Sequence, residues 1–186
     1  MRQSKRDRRQ CSRVEPTTHL DAHTGAIDAI GYRVMEVACR QTVEWLARDT
    51  TREFTISVNL SGRQLMRDNI VEQVLGILEE TGLPPTRLKL EITETILLAD
   101  RQSVTRKMNR LKAMGIRLAL DDFGTGYSSL STLSSFPIDT LKIDRGFIST
   151  LGEDREPVAI VKAIMVLSRT LKMDVTAEGL ETQHQV

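Results

Sequence analysis

Short apolar runs alternate with longer amphipathic stretches over most of this 186-residue chain. Phe54-Thr55-Ile56-Ser57-Val58 alternates β-branched and polar positions and ends at Asn59. Leu88-Lys89-Leu90 opens onto Glu91-Ile92-Thr93-Glu94, and Leu118-Ala119-Leu120 stops at Asp121-Asp122. Ile138 to Asp144 is a further run with Lys142 inside it, and Met173-Asp174-Val175-Thr176-Ala177 leads into Glu178. Apolar runs this short, bounded by polar or turn residues, predict strands. The stretches between them carry helical spacing. Ile27, Ile30, Val34, Val37, Ala38 and Trp45 predict a long helix to about Arg48 with these residues on its apolar side. Asn69 to Thr81 predicts another, ended by Gly82 and the Pro84-Pro85 break. Ser103 to Met114 repeats Val104, Met108, Leu111 and Met114 before Gly115, and Glu156 to Leu171 repeats Ile160, Ile164, Leu167 and Leu171 with Val161 beside them.

The resulting order is strand, helix, strand, helix, which implies a parallel sheet with helices outside it. Asn59, Glu91, Asp121, Lys142 and Glu178 follow one another at intervals of 32, 30, 21 and 36 residues. A βα unit needs roughly 30 residues to bring a parallel strand back beside its predecessor. Each repeat therefore delivers one polar group to the same edge of the sheet. In α/β proteins the C-terminal edge is where the chemistry is placed.

The pair Asp121-Asp122, followed by Phe123-Gly124-Thr125-Gly126-Tyr127, admits two readings by itself. One is an Asx-type turn that caps a helix starting near Tyr127. The other is two adjacent carboxylates held by a cation, because like charges side by side repel unless something positive compensates them. Four further polar groups on the same rim decide for the site.

Composition narrows the class. Residues 1–13 carry six basic groups and one acid, a net +5, whereas the remainder carries 20 basic and 24 acidic groups, a net −4. The part with a folding pattern is slightly acidic, which suits a cation better than a nucleic-acid polymer. Residues 1–20 form a basic tail with no periodicity, expected to be disordered, and residues 21–186 form the domain. Cys39 lies on a helix and reads as a core residue, Cys11 lies in the tail, and a disulfide between them is not expected. No apolar run approaches a membrane span, and a cytoplasmic location is expected. His19, His23 and His184 are too scattered to form a ligand set, and Gly124-Thr125-Gly126 is too short for a dinucleotide fingerprint.

With these residues in view, the chain resembles the EAL family of bacterial, metal-dependent phosphodiesterases and receptors for cyclic di-GMP. The matching segments are Ser57-Val58-Asn59-Leu60-Ser61 with Arg63-Gln64-Leu65, Leu88 to Glu94, Asp121 to Leu130, Leu141-Lys142-Ile143-Asp144-Arg145-Gly146-Phe147, and Ala177-Glu178-Gly179-Leu180-Glu181-Thr182. The resemblance implies a TIM-like (β/α) barrel, incomplete here at about five parallel strands with outer helices. It implies two divalent ions, Mg2+ or Mn2+, with Asn59, Glu91 and Asp121 on the first and Asp121, Asp122 and Glu178 on the second. It also implies catalytic roles for Lys142, Glu178 and Glu181, and loop positioning by Glu94. Ser61, Arg63, Gln64 and Asp144 would contact the substrate.

The pattern departs from the family at both ends. Residues 1–26 contain no Glu-Ala-Leu segment, and the chain stops at Gln185-Val186, where the family continues into a further helix and strand. The expectation is a domain truncated at both ends, with a weakened first metal site, two bare sheet edges and an apolar barrel interior. Three functions stay open: hydrolysis of cyclic di-GMP to linear pGpG at a reduced rate, a module that binds the nucleotide or a protein without catalysis, or a gene remnant. Homodimerisation or a partner protein on the open edges is the accompanying expectation.

Overall fold

The computed structural model describes residues 26–49, 51, 54–98, 100–124, 130–150 and 155–182. The basic tail, Cys11, the three histidines and Tyr127 lie outside them. Five strands, β1 (Ile56–Asn59), β2 (Leu88–Thr93), β3 (Arg117–Phe123), β4 (Thr140–Ile143) and β5 (Asp174–Ala177), form one parallel sheet in sequence order. The helices are α1 (Ala26–Arg48), α2 (Gly62–Met66), α3 (Ile70–Thr81), α4 (Arg101–Ala113), α5 (Leu130–Leu133), α6 (Arg145–Ser149) and α7 (Arg155–Thr170), with 3-10 turns at Pro85–Arg87 and Glu94–Leu98.

The long helices lie where their spacing predicts, and their ends have local causes. In α3 the buried residues are Ile70, Val71, Val74, Ile77 and Leu78, one helical stripe, and Gly82 at φ 72 stops the helix with its N–H on the Leu78 carbonyl. Helix α4 starts two residues earlier than its apolar pattern suggests. Asp100 caps it, its carboxylate accepting the Gln102 and Ser103 N–H groups. The short helices α2 and α6 have too few turns to show a period, so apolar spacing does not reveal them.

Helix α1 presents a different side from the one its hydrophobicity suggests. Ile30, Val34 and Val37 are exposed, while Met35, Cys39 and Thr42 are buried. The inward stripe is Asp28, Gly31, Met35, Cys39 and Thr42, one position in every three or four. Two of its members, an aspartate and a glycine, look like surface residues in a sequence. Their partners explain them. Asp28 accepts the Arg67 guanidinium at 2.8 and 3.1 Å, and a Cβ on Gly31 would lie 2.5 Å from the Gln64 amide nitrogen.

The two faces of the sheet differ in kind. Val58, Leu88, Leu90, Ile92, Leu118, Leu120, Leu141 and Ile143 alternate along β1 to β4 and pack in the core with the helices. Burying each such leucine or isoleucine contributes about 1.5–3 kcal/mol. The register places Asn59 beside Glu91, Glu91 beside Ala119, Ala119 beside Thr140 and Lys142 beside Thr176, so the opposite face is small and polar. The expected apolar interior is thereby corrected. The core lies between the sheet and its helices, and the other face of the sheet carries polar side chains. Strands β1 and β5 are the edges of the sheet. Among the described residues, no helix is long and apolar enough to cross a membrane.

Candidate active site

Strand alternation and register decide which side chains can meet. Thr93 stands beside Asp121, so Asn59, Glu91, Asp121 and Lys142 rise from one face at the C-terminal ends of four adjacent strands. Glu178 follows β5 directly, and its N–H extends the ladder to the Ile143 carbonyl at 3.2 Å.

Lys142 stands at the centre. Its Nζ lies 2.6 Å from Glu91 Oε2, 2.7 Å from Glu178 Oε1 and 2.8 Å from Asp121 Oδ1. Lys142 and Asp121 are buried, at 6% and 2% exposure. Burial on its own disfavours an ammonium, yet the bonds from Asp121, Glu178 and Glu91 outweigh it and hold the Lys142 pKa above its ordinary value.

Adjacent strand residues point to opposite faces, so Asp121 and Asp122 cannot share a site on a regular strand. The chain solves this with a bulge. The β3–β4 register shifts between Leu120 and Phe123, and Asp122 adopts φ 55, in the left-handed region. Asp121, Asp122 and Glu178 then each present a carboxylate oxygen within 4.8 Å of the others. The left-handed conformation costs a non-glycine residue roughly 1–3 kcal/mol, least for aspartate and asparagine, and such strain concentrates at functional sites. The Asp122 N–H rests on Asp121 Oδ1 at 3.1 Å. Beyond it, the buried Glu94 accepts the Gly124 N–H at 3.1 Å. Gly124 has φ 101, and a Cβ there would lie 2.9 Å from the Phe147 ring, so glycine is needed.

The remaining expected site residues do local structural work. Ser61 and Gln64 form the capping box of α2: the Gln64 N–H donates to Ser61 Oγ, and Gln64 Oε1 accepts the Ser61 N–H. Gln64 is only 2% exposed, with its amide against Gly31 of α1. Arg63 leans on Asp28 at 3.5 Å. Asp144 caps α6 by accepting the Gly146 N–H at 2.8 Å. Glu181 is exposed and pairs with Arg145 at 2.9 Å, above Gly179, where a Cβ would meet the Arg145 stem. Asp28, Gly31 and Arg145 escaped the sequence reading. Their signal is a complementary partner far away in the chain, which no local pattern carries.

Three carboxyl groups thus meet one ammonium at the sheet's C-terminal rim, and Asp122 stands beside two of them. Their oxygens, with the Asn59 amide alongside Glu91, are the hard donors that Mg2+ or Mn2+ prefers, so the residues present fit such ions. Fold and rim together define a parallel β/α domain with an acidic rim at the C-terminal edge of its sheet. Residues 9–186 match the EAL domain, and the chain belongs to that family. EAL domains are TIM-like barrels, of which the five-stranded sheet is an unclosed arc among the described residues.

An uncharacterised signalling protein of Caulobacter vibrioides is 44% identical over 162 residues, 87% of this chain and 19% of its own length. The bifunctional diguanylate cyclase/cyclic di-GMP phosphodiesterase MucR of Pseudomonas aeruginosa is 43% identical over 166 residues, 89% of this chain and 24% of MucR. The MucR phosphodiesterase solved in complex with c-di-GMP matches with a TM-score of 0.82 at 43% identity, covering 87% of this chain and 65% of that one. Klebsiella pneumoniae BlrP1, solved with manganese and the cyclic dinucleotide, matches at 0.69 and 26% identity, covering 83% and 40%. The chain spans about a fifth to a quarter of the length of these two curated relatives.

Proposed function

We propose that this chain binds cyclic di-GMP over the C-terminal rim of its sheet and hydrolyses one of its phosphodiester bonds to give linear pGpG. The observation that carries this reading is the convergence of Glu91, Asp121, Asp122, Glu178 and Lys142 at one rim, from strands far apart in sequence. The names of MucR and its cyclic di-GMP complex support the choice of ligand.

In the reaction, the oxygen of a water forms a bond to phosphorus and one ester P–O bond breaks. The departing ribose oxygen takes up a proton, and the water gives one up. Asn59, Glu91 and Asp121 would hold one divalent ion, and Asp121, Asp122 and Glu178 the other, with Asp121 common to both. Such ions supply a bound water of lowered pKa and neutralise phosphate oxygens. The protein's own part is to fix the donors. The bulge at Asp122 aims two consecutive carboxylates the same way, and Glu94 pins the loop behind them. Lys142 places a positive charge beside the carboxylates, where it can serve the phosphate or a proton in transit.

A second reading, binding without turnover, is favoured by one observation: Lys142 already engages three of the four carboxylates. Chromatography of cyclic di-GMP incubated with the chain and Mn2+ tests the first reading against an Asp121→Asn control. Accumulation of pGpG that Asp121→Asn abolishes is expected. Calorimetric binding of the nucleotide in Ca2+ with no product in Mn2+ selects the second reading, and neither heat nor product overturns both.

A further inference from the structure

We propose that Lys142 is the resident counter-ion of the carboxylate cluster, keeping Glu91, Asp121 and Glu178 assembled and yielding these carboxylates when a divalent cation enters. The inference rests on the functional reading above and adds a condition to it: cation binding is an exchange in which the ammonium must let go.

The argument starts from donor counting. An ammonium has three N–H donors, and Lys142 spends them on the carboxylates of Glu91 in β2, Asp121 in β3 and Glu178 just after β5, at 2.6–2.8 Å. The group is therefore saturated. Two of those acceptors, Asp121 and Glu178, also belong to the trio whose oxygens lie within 4.8 Å of one another. Lysine and cation consequently draw on the same two carboxyl groups. Their charges also repel across a site where Lys142 and Asp121 are shielded from water, so both cannot keep their closest positions.

A second buried lysine shows what a purely structural role looks like. Lys107 is 8% exposed and donates to one carbonyl, that of Met66, at 2.8 Å, with the exposed Asp68 carboxylate at 3.7 Å. It ties α4 to the end of α2 and touches none of the rim acids. The Lys142 arrangement differs because every partner is a carboxylate of the candidate cation site. Removing the ammonium leaves those acids facing one another with no positive charge between them. The fold then loses stability until a divalent cation supplies the charge.

Titration of Mn2+ alone into the wild-type chain, Lys142→Met, Lys142→Gln and the control Lys107→Met tests the proposal by calorimetry, with thermal melts in EDTA and in Mn2+. Both Lys142 variants are expected to bind Mn2+ roughly tenfold or more tightly than wild type, because a repelling charge is gone. They should melt lower in EDTA and recover in Mn2+. Lys107→Met should melt lower with unchanged Mn2+ affinity. If the Lys142 variants do not fold in EDTA, the wild-type chain with 15Nζ-labelled lysine, titrated with diamagnetic Mg2+, reports directly. The protected Lys142 ammonium signal should shift or vanish as Mg2+ binds. Mn2+ binding to the Lys142 variants that is no tighter than to wild type, or an ammonium signal unmoved at saturating Mg2+, overturns the exchange and leaves the functional reading standing. Absence of Mn2+ binding by wild type and variants alike overturns both.

Discussion

Asp122→Gly should be more stable than Asp122→Ala, the reverse of the order these residues show in an ordinary strand. Neither variant has a carboxylate, so losing the acid cancels between them and the comparison isolates the backbone. At φ 55, an alanine Cβ costs about 1–2 kcal/mol against the following carbonyl, a cost glycine escapes. Glycine gives back about 0.4–1 kcal/mol because its unfolded chain is freer. The difference is centred near 0.8 kcal/mol in favour of glycine. At Ala119, also in β3 but without a positive φ, substitution by glycine should instead cost about 0.5–1 kcal/mol, plus the buried methyl group. Urea denaturation in EDTA measures both pairs. In thermal melts each kcal/mol corresponds to about 2–4 °C for a domain of this size. Alanine equal to or better than glycine at position 122 would refute the claim that a left-handed bulge aims the second carboxylate. Asp122→Asn, which tolerates the same conformation, should keep the stability and weaken Mn2+ binding.

Three further outcomes follow from the same geometry. Glu94→Ala leaves the Gly124 N–H without its carboxylate and should cost about 1–3 kcal/mol in urea denaturation, with Glu94→Gln recovering most of it; a loss under about 0.5 kcal/mol contradicts the pinning role. Gly124→Ala meets both the positive φ of 101 and the Phe147 ring, and should lower stability by about 1–3 kcal/mol in the same assay. Burial pushes the Cys39 thiol up to about 11, so iodoacetamide at pH 8.5 should modify Cys39 only after unfolding, as read by peptide mass spectrometry. The linked pH effect has a definite sign. The unfolded thiol ionises near pH 9 and the folded one near 11, so this contribution to stability is intact below pH 9 and lost between 9 and 11. A stability profile flat across that window would remove Cys39 as a contributor.

Local pattern was enough for the strands, the four long helices and the rim itself. A strand that ends in an acid announces both its edge and its chemistry, and the interval between such ends reports the βα repeat. Glu91, Asp121, Lys142 and Glu178 were legible for that reason. Register, which decides what stands beside what, depends on all strands at once. It turned the opposite sheet face polar, where an apolar interior was expected. It also placed Lys142 among three acids rather than merely near them.

Two features could be settled only by tertiary packing. In α1, the stripe richest in apolar residues stays exposed, because Asp28 and Gly31 have partners in Arg67 and Gln64 that only the packing of α1 against α2 supplies. At Asp122, adjacent residues share a site only because the backbone bulges, and a bulge requires a neighbouring strand to slip against. The sequence by itself determined which chemical groups exist and that they recur at one edge of a parallel sheet. The tertiary structure decided which of them touch, because side-chain contact is set by strand register and helix docking, and both are properties of elements far apart in the chain.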